Sequence, residues 1–168
     1  MIVRIDRLRV DDASAVADVF ARSRAAAMPW LPVLHTPEED VAFFAGQLAG
    51  GAGWGAWVAT EGETGADGPG EHLVGFAVAS PGWLDYLYVA PGEQGRGIGR
   101  RLLSRALEDQ SGPVRLWAFQ RNLRALAFYA ERGFDEVQRT DGTGNEEREP
   151  DVLMCRPADP PTGSADRS

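Results

Sequence analysis

The sequence predicts a single α/β domain, a mixed β-sheet flanked by helices, and three observations carry that expectation. Runs rich in β-branched and aromatic residues are interspersed with runs whose apolar residues recur at helical spacing, in the order β-α-α-β-β-β-α-β-α-β-β. Glycine, proline and cap residues fall between these runs. The 168 residues, 43% hydrophobic and 25% charged, suit one domain with a substantial core. We expect that domain over residues 1–156, and residues 157–168, poor in apolar side chains, as a disordered tail.

Each element has its own local reason. IVRIDRLRV (2–10) alternates, with Ile2, Arg4 and Asp6 opposed to Val3, Ile5 and Arg7, and reads as a strand. Asp11 or Asp12 is expected to cap a helix to about Ala27, with Ala15, Val16, Val19 and Phe20 on its apolar side. MPWLPVLHTP (28–37) holds three prolines and is expected to be irregular. Thr36 then caps a second helix, with Pro37 at its first position and Glu38, Glu39 and Asp40 complementing the dipole. That helix ends near Leu48. GWGAWVAT (53–60) and HLVGFAVAS (72–80) read as strands joined by a long, mobile loop, EGETGADGPGE (61–71).

WLDYLYVA (83–90) is a strand stopped by Pro91-Gly92, and Ile98, Leu102, Leu103, Ala106 and Leu107 mark a helix. GPVRLWAFQRNLRALAFYAERGF (112–134) reads as strand, turn, helix and glycine stop, with Asn122 as N-cap and Gly133 just past the end. DEVQRT (135–140) and PDVLMC (150–155) form a last strand pair across an acidic, flexible connection.

The turn between strand 83–90 and its helix carries the chemistry. Gly95, Gly97 and Gly99 leave it nearly bare, so free N–H groups and the positive helix end converge there, with Arg96, Arg100 and Arg101 adding charge. Phosphate or pyrophosphate suits such a corner. A Walker loop is excluded because no lysine occurs in the chain, and G-x-G-x-x-G fails because Arg100 stands where the third glycine belongs. What remains is Gln94-x-x-Gly97-x-Gly99.

At this motif the chain resembles the GNAT family of acyl-CoA-dependent N-acetyltransferases, whose signature is Gln or Arg, two residues, Gly, one residue, then Gly or Ala. A second family pattern follows in register, matched by Asn122, Ala125, Phe128, Tyr129, Gly133 and Phe134. The resemblance covers 83–134 and implies a mostly antiparallel, splayed sheet in which strand 83–90 parts from strand 113–119. It implies acetyl-CoA as acyl donor in that gap, with the backbone of Leu87, Tyr88 and Val89 holding the pantetheine and acetyl groups. Gln94, Gly95, Arg96, Gly97, Ile98, Gly99 and Arg100 would surround the pyrophosphate. Asn122 is read both as N-cap and as cofactor contact.

The implied activity is transfer of an acetyl group to a primary amine by direct attack, through a tetrahedral intermediate. Tyr129 is the expected general acid for the departing thiolate, a phenol of ordinary pKa about 10 being of similar basicity. The general base is open. The positions where many family members carry a glutamate hold Trp117 and Trp83, leaving Asp85, Tyr86 through water, and His35 as candidates. Glu146, Glu147 and Glu149, facing Trp30, Leu31 and His35, suggest an acceptor that is a small cationic amine or a peptide N-terminus. Alternatives are a non-catalytic acyl-CoA-binding regulatory module and an O-acyltransferase.

Other classes fare worse. Cys155 lies in an apolar run where an inert packed thiol is usual, which weakens a cysteine hydrolase using His35 or His72. No G-x-S-x-G elbow occurs, and the two histidines show no zinc pattern, so no metal is expected. A net charge of −8 argues against general nucleic-acid binding. No apolar run of membrane-spanning length or signal-peptide core is present, and one cysteine fits a reducing compartment, so no membrane association and a cytoplasmic location are expected. Many members of the resembled family pair, which makes a homodimer one expectation.

Overall fold

The computed structural model describes residues 2–65 and 68–160. Seven strands form one sheet: β1 (Val3–Arg7), β2 (Gly53–Gly65), β3 (Gly68–Ser80), β4 (Trp83–Val89), β5 (Val114–Phe119), β6 (Asp135–Arg139) and β7 (Asp151–Arg156). Four helices accompany them: α1 (Ala13–Ala27), α2 (Pro37–Leu48), α3 (Ile98–Glu108) and α4 (Leu123–Ala130). The strand order is β1-β2-β3-β4-β5-β7-β6. Every neighbouring pair is antiparallel except β4 and β5, which run parallel. The predicted element order is therefore observed.

Helices on both faces divide the core in two. On one side Val16 and Val19 of α1 and Phe44 of α2 close over Phe76 and Val78 of β3. On the other, Ile98, Leu102, Leu103 and Ala106 of α3, with Tyr129 of α4, close over Val74, Leu84 and Leu116. A sheet with two apolar faces needs two helical layers to remove both from water. Phe44 is fully buried and meets Phe20, Phe76 and Tyr86 edge-on, with ring centroids 5.1–5.4 Å apart. This aromatic cluster fixes one face of β4.

The parallel pair is the exception that matters. β4 and β5 share a single ladder pair, Trp83 with Arg115, supported by Arg115 N–H donating to Gly82 O at 2.9 Å. Beyond it the strands diverge toward their C-terminal ends, and the sheet opens. Val89 and Phe119 end the two strands at the wide mouth of that split.

Local expectations fare unevenly. Thr36 does cap α2: its Oγ1 accepts from Glu39 N–H at 3.2 Å, and Glu39 Oε2 accepts from Thr36 N–H at 2.8 Å. Thr36→Ala should cost about 1 kcal/mol, measured as a lower denaturation midpoint with an unchanged slope. β1 is shorter than 2–10, because Leu8 turns into the core at 3% exposure and Val10–Asp12 form a 3-10 turn. Asp12 accepts from Arg9 N–H at 2.7 Å and serves that turn rather than capping α1.

The expected long loop at 61–71 is corrected. The β2–β3 ladder continues through Thr64–Pro69 and Gly65–Gly68 pairs after a register shift, because backbone pairing does not need apolar side chains. Residues 66 and 67 at its tip lie outside the described residues. The connection 141–150, expected to be flexible, is tied down. Asn145 Nδ2 donates to Glu149 O at 2.7 Å, and Arg24 of α1 reaches Glu147 at 2.8 Å. Residues 157–160 carry no regular structure, and the rest of the expected tail, 161–168, lies outside the described residues.

Candidate functional site

The split between β4 and β5 holds a cleft of about 420 Å³. Its floor is the outer edge of β4. Ala90 N–H donates across to Val74 O on β3 at 2.7 Å, so strand alternation turns the N–H groups of Leu87 and Val89 the other way, into the gap. With β5 already gone from that level, these N–H groups lack a strand partner and offer an extended ligand a place to pair. The Val89 carbonyl is occupied: Ser23 Oγ donates to it at 3.0 Å, and Gln94 Nε2 at 3.4 Å.

The far end of the cleft is the glycine turn. Gly95 (φ +80°) and Gly97 (φ +76°) adopt left-handed backbone that only glycine reaches cheaply, and a Cβ built on either meets nothing within 4 Å. Gly97 is the N-cap of α3 and contributes no side chain, so the N–H groups of the first helical turn point into open space beside Arg100. Gly99 differs from the expectation of a uniformly bare turn. It lies in the first turn of α3, where a Cβ built on it would meet the Phe128 ring at 3.5 Å, so its surroundings are packed rather than open. Arg96 stands outside the lining and pairs with Glu93 at 2.9 Å.

The opposite wall is α4. Asn122 caps it by accepting from Ala125 N–H at 3.3 Å, while its Nδ2 lies 3.5 Å from Met28 Sδ, so the capping half of its expected role is present and the residue also lines the cleft. Tyr129 is 9% exposed, between Phe128 and Phe134 with centroids at 5.3 and 5.6 Å. Burial, with a smaller contribution from Tyr88, pushes its phenol well above the ordinary tyrosine range.

Of the expected cofactor contacts, Leu87, Tyr88, Val89, Gln94, Gly95, Gly97, Ile98, Gly99, Arg100, Asn122 and Tyr129 all line this one cleft. The base candidates are elsewhere. Asp85 is exposed and borders neither this cleft nor the second cavity described below. His35 is half-exposed and engaged elsewhere, its Nε2 2.7 Å from Glu146. Tyr86 is turned into the aromatic cluster, and burial raises its phenol to about 12.

Sequence reasoning missed Ser23, Arg124 and Arg132. Ser23 is 3% exposed on the buried face of α1, seven residues from Val16, and a serine on an apolar helix face was the available signal. Arg124 donates to Gln94 Oε1 and ties α4 to the glycine turn. Arg132 stacks over Phe128 at 3.8 Å, with a buried Nε that has no hydrogen-bond partner among the described residues, a donor left over for something in the cleft. No pattern in the chain marks these arginines, because their role depends on which side of α4 faces α3.

A second cavity of about 590 Å³ opens beyond β5, bounded by Trp117, Phe119, Thr140, Asn145, Glu147 and Asp151. The expected approach of the 28–37 loop to the acidic loop is seen nearby, although Trp30, Leu31, His35 and Glu146 do not line this cavity. Trp30 meets Phe119 edge-on at 6.0 Å, and His35 meets Glu146. Among the described residues no group of three or more His, Cys, Asp or Glu side chains could hold a metal, and no helix is long and apolar enough to cross a membrane.

Comparison with known proteins agrees with this geometry. A family model described as an acetyltransferase (GNAT) domain matches residues 52–136. A protein of Mycobacterium tuberculosis named "Probable N-acetyltransferase Rv2775" is 38% identical over 91 residues, 52% of this chain and 51% of that protein. The chain thus spans about half the length of the curated relative it matches. Among solved structures, the PaiA N-acetyltransferase of Thermoplasma acidophilum in complex with coenzyme A superposes with a TM-score of 0.69 at 21% identity, covering 94% of this chain and 99% of that one. The ribosomal-protein-S18-alanine N-acetyltransferase of Escherichia coli gives 0.68 at 18% identity, covering 99% and 100%. At such identities these two structures establish the fold alone.

Proposed function

Because the chain belongs to the GNAT acetyltransferase family, we propose that it transfers an acetyl group from acetyl-CoA to a primary amine by direct attack, through a tetrahedral intermediate. The observation that carries this reading is the meeting, in one cleft, of an unpaired strand edge, a side-chain-free helix start and a buried phenol. Each suits a different part of the donor. The N–H groups at Gly97–Arg100 suit the pyrophosphate, and Arg132 Nε is a donor still to be satisfied. The Leu87 and Val89 edge suits the amide-bearing arm, much as an added strand would.

When bound, the donor supplies an activated acyl group and a thiol leaving group. The chain's own residues orient and screen it. An N–H of the Leu87–Val89 edge would donate to the charge that develops on the carbonyl oxygen. Tyr129 holds a proton at its hydroxyl beside the place expected for sulfur. α4 and Met28 line the cleft. The half-paired sheet does what a fully paired one could not: it keeps backbone donors rigid and unused.

The acceptor enters, in this reading, from the side of the second cavity. Asp85 and His35 lie outside the cleft, so proton removal from the amine falls to water or to the acceptor cavity's own groups. Free-thiol release from acetyl-CoA, read against a panel of amines, tests the proposal. We expect release that depends on the amine. Tight coenzyme A binding with no amine-dependent release across the panel would point instead to a binding module.

A further inference from the structure

The acidic loop above β5 has one carboxylate that does not fit its surroundings. Each glutamate of the loop has a basic side chain at hand: Glu146 with the His35 imidazole at 2.7 Å, Glu147 with Arg24 at 2.8 Å, Glu149 with Arg121 at 3.4 Å. Asp151, the most buried of the group at 9% exposure, has none. Among the described residues no arginine or histidine lies within 4.0 Å of it. Its partners are neutral, the Thr140 hydroxyl on Oδ1 and Asn145 Nδ2 on Oδ2 at 3.0 Å.

A carboxylate taken out of water with only neutral donors is an unbalanced charge, and such groups are ordinarily paired. Asp151 borders the 590 Å³ cavity, whose other walls include Trp117 and Phe119. These two residues alternate on β5 and so present to one face of the sheet. Aromatic faces beside a lone buried carboxylate suit a cation on an apolar stem.

The position of this cavity excludes the attacking nitrogen as that cation. Among the described residues none borders both the cavity and the cofactor cleft. Asp151 pairs with Phe119 at the far edge of β5, away from Tyr129 and the β4 edge. A charge held there belongs to the other end of the acceptor.

Resting on the acetyltransferase reading above, we propose that the acceptor is a diamine-class molecule: one amine is acetylated at the cleft while a second ammonium is held by Asp151, its carbon chain lying along Trp117 and Phe119. The transfer keeps its balance. The nitrogen–carbonyl bond forms, the carbon–sulfur bond breaks, and one proton passes from the amine to the departing thiolate. The second ammonium reacts with nothing and sets the register of the first.

The test compares 1,4-diaminobutane with 1-aminobutane and 4-aminobutanoate, which share a chain and differ at the far end. We expect kcat/KM at least about tenfold higher for the diamine than for the monoamine, and lowest for the aminobutanoate. This comparison uses the unaltered protein. Asp151→Asn, checked for folding by its coenzyme A titration, should bring the diamine down to the monoamine. Calorimetry of 1,4-diaminobutane on coenzyme A-loaded protein gives a second readout that needs no turnover. Equal kcat/KM for diamine and monoamine, or no diamine binding to the loaded protein, would overturn the proposal and leave acetyl transfer standing. Failure of coenzyme A itself to bind would overturn the acetyltransferase reading; Asp151-dependent diamine binding would then still support the cavity.

Discussion

Replacing Tyr129 with phenylalanine is expected to lower kcat by about a hundredfold or more, with coenzyme A affinity and melting temperature nearly unchanged. The ring packs between Phe128 and Phe134 and is 9% exposed, so phenylalanine keeps the contacts and loses only the hydroxyl. Because burial raises the phenol, complete proton transfer to a thiolate is uphill rather than balanced, as the unperturbed pKa had suggested. In the proposed reaction the hydroxyl would then act mainly as a hydrogen-bond donor to charge developing on sulfur, with the net proton coming from the attacking amine. The sign of the pH effect follows. A raised phenol stays protonated as pH climbs through the ordinary tyrosine range near 10, so Tyr129 should impose no alkaline loss of kcat below it. A downturn at or below that pH that disappears in Tyr129→Phe would refute this assignment, as would full turnover in the variant.

The second large effect is expected at Gly97. Its φ of +76° is left-handed, and a β-branched side chain there costs roughly 1–2 kcal/mol in local backbone energy. Relaxing that strain means turning the N-cap of α3 and scattering the N–H groups it aims into the cleft. The side chain itself would stand in space where a Cβ now meets nothing. Gly97→Val should weaken coenzyme A binding by about tenfold to a hundredfold, 1.4 kcal/mol being a factor of about ten. Gly99→Ala is the matched control. Its backbone is helical and its Cβ would touch Phe128 and Val89 at ordinary distances of 3.5 and 3.7 Å, so affinity should fall by no more than about threefold. Undiminished binding in Gly97→Val would remove the helix start from the site.

Much of the cleft was legible because its parts are local. Gly97, Ile98, Gly99 and Asn122 take their roles from positions in a turn or a cap, and turn chemistry is decided within a few residues. The acceptor side was legible only as a composition. Glu146, Glu147 and Glu149 could be noted as acids, but nothing in their order says that Arg24, more than a hundred residues earlier, neutralises one of them. Asp151 escaped notice because it opens a strand that otherwise reads as apolar. Its burial comes from Thr140 and Asn145 folding over it.

By itself the sequence determined the order of the helices and strands and the glycine-rich turn that opens α3, since these depend on backbone sterics and short-range periodicity. Family resemblance anticipated that the two strands part, but tertiary structure alone decided that β4 and β5 share a single pair and which carboxylate is buried without a basic partner. Those properties depend on what lies across a gap from each group, and distance along the chain carries no record of it.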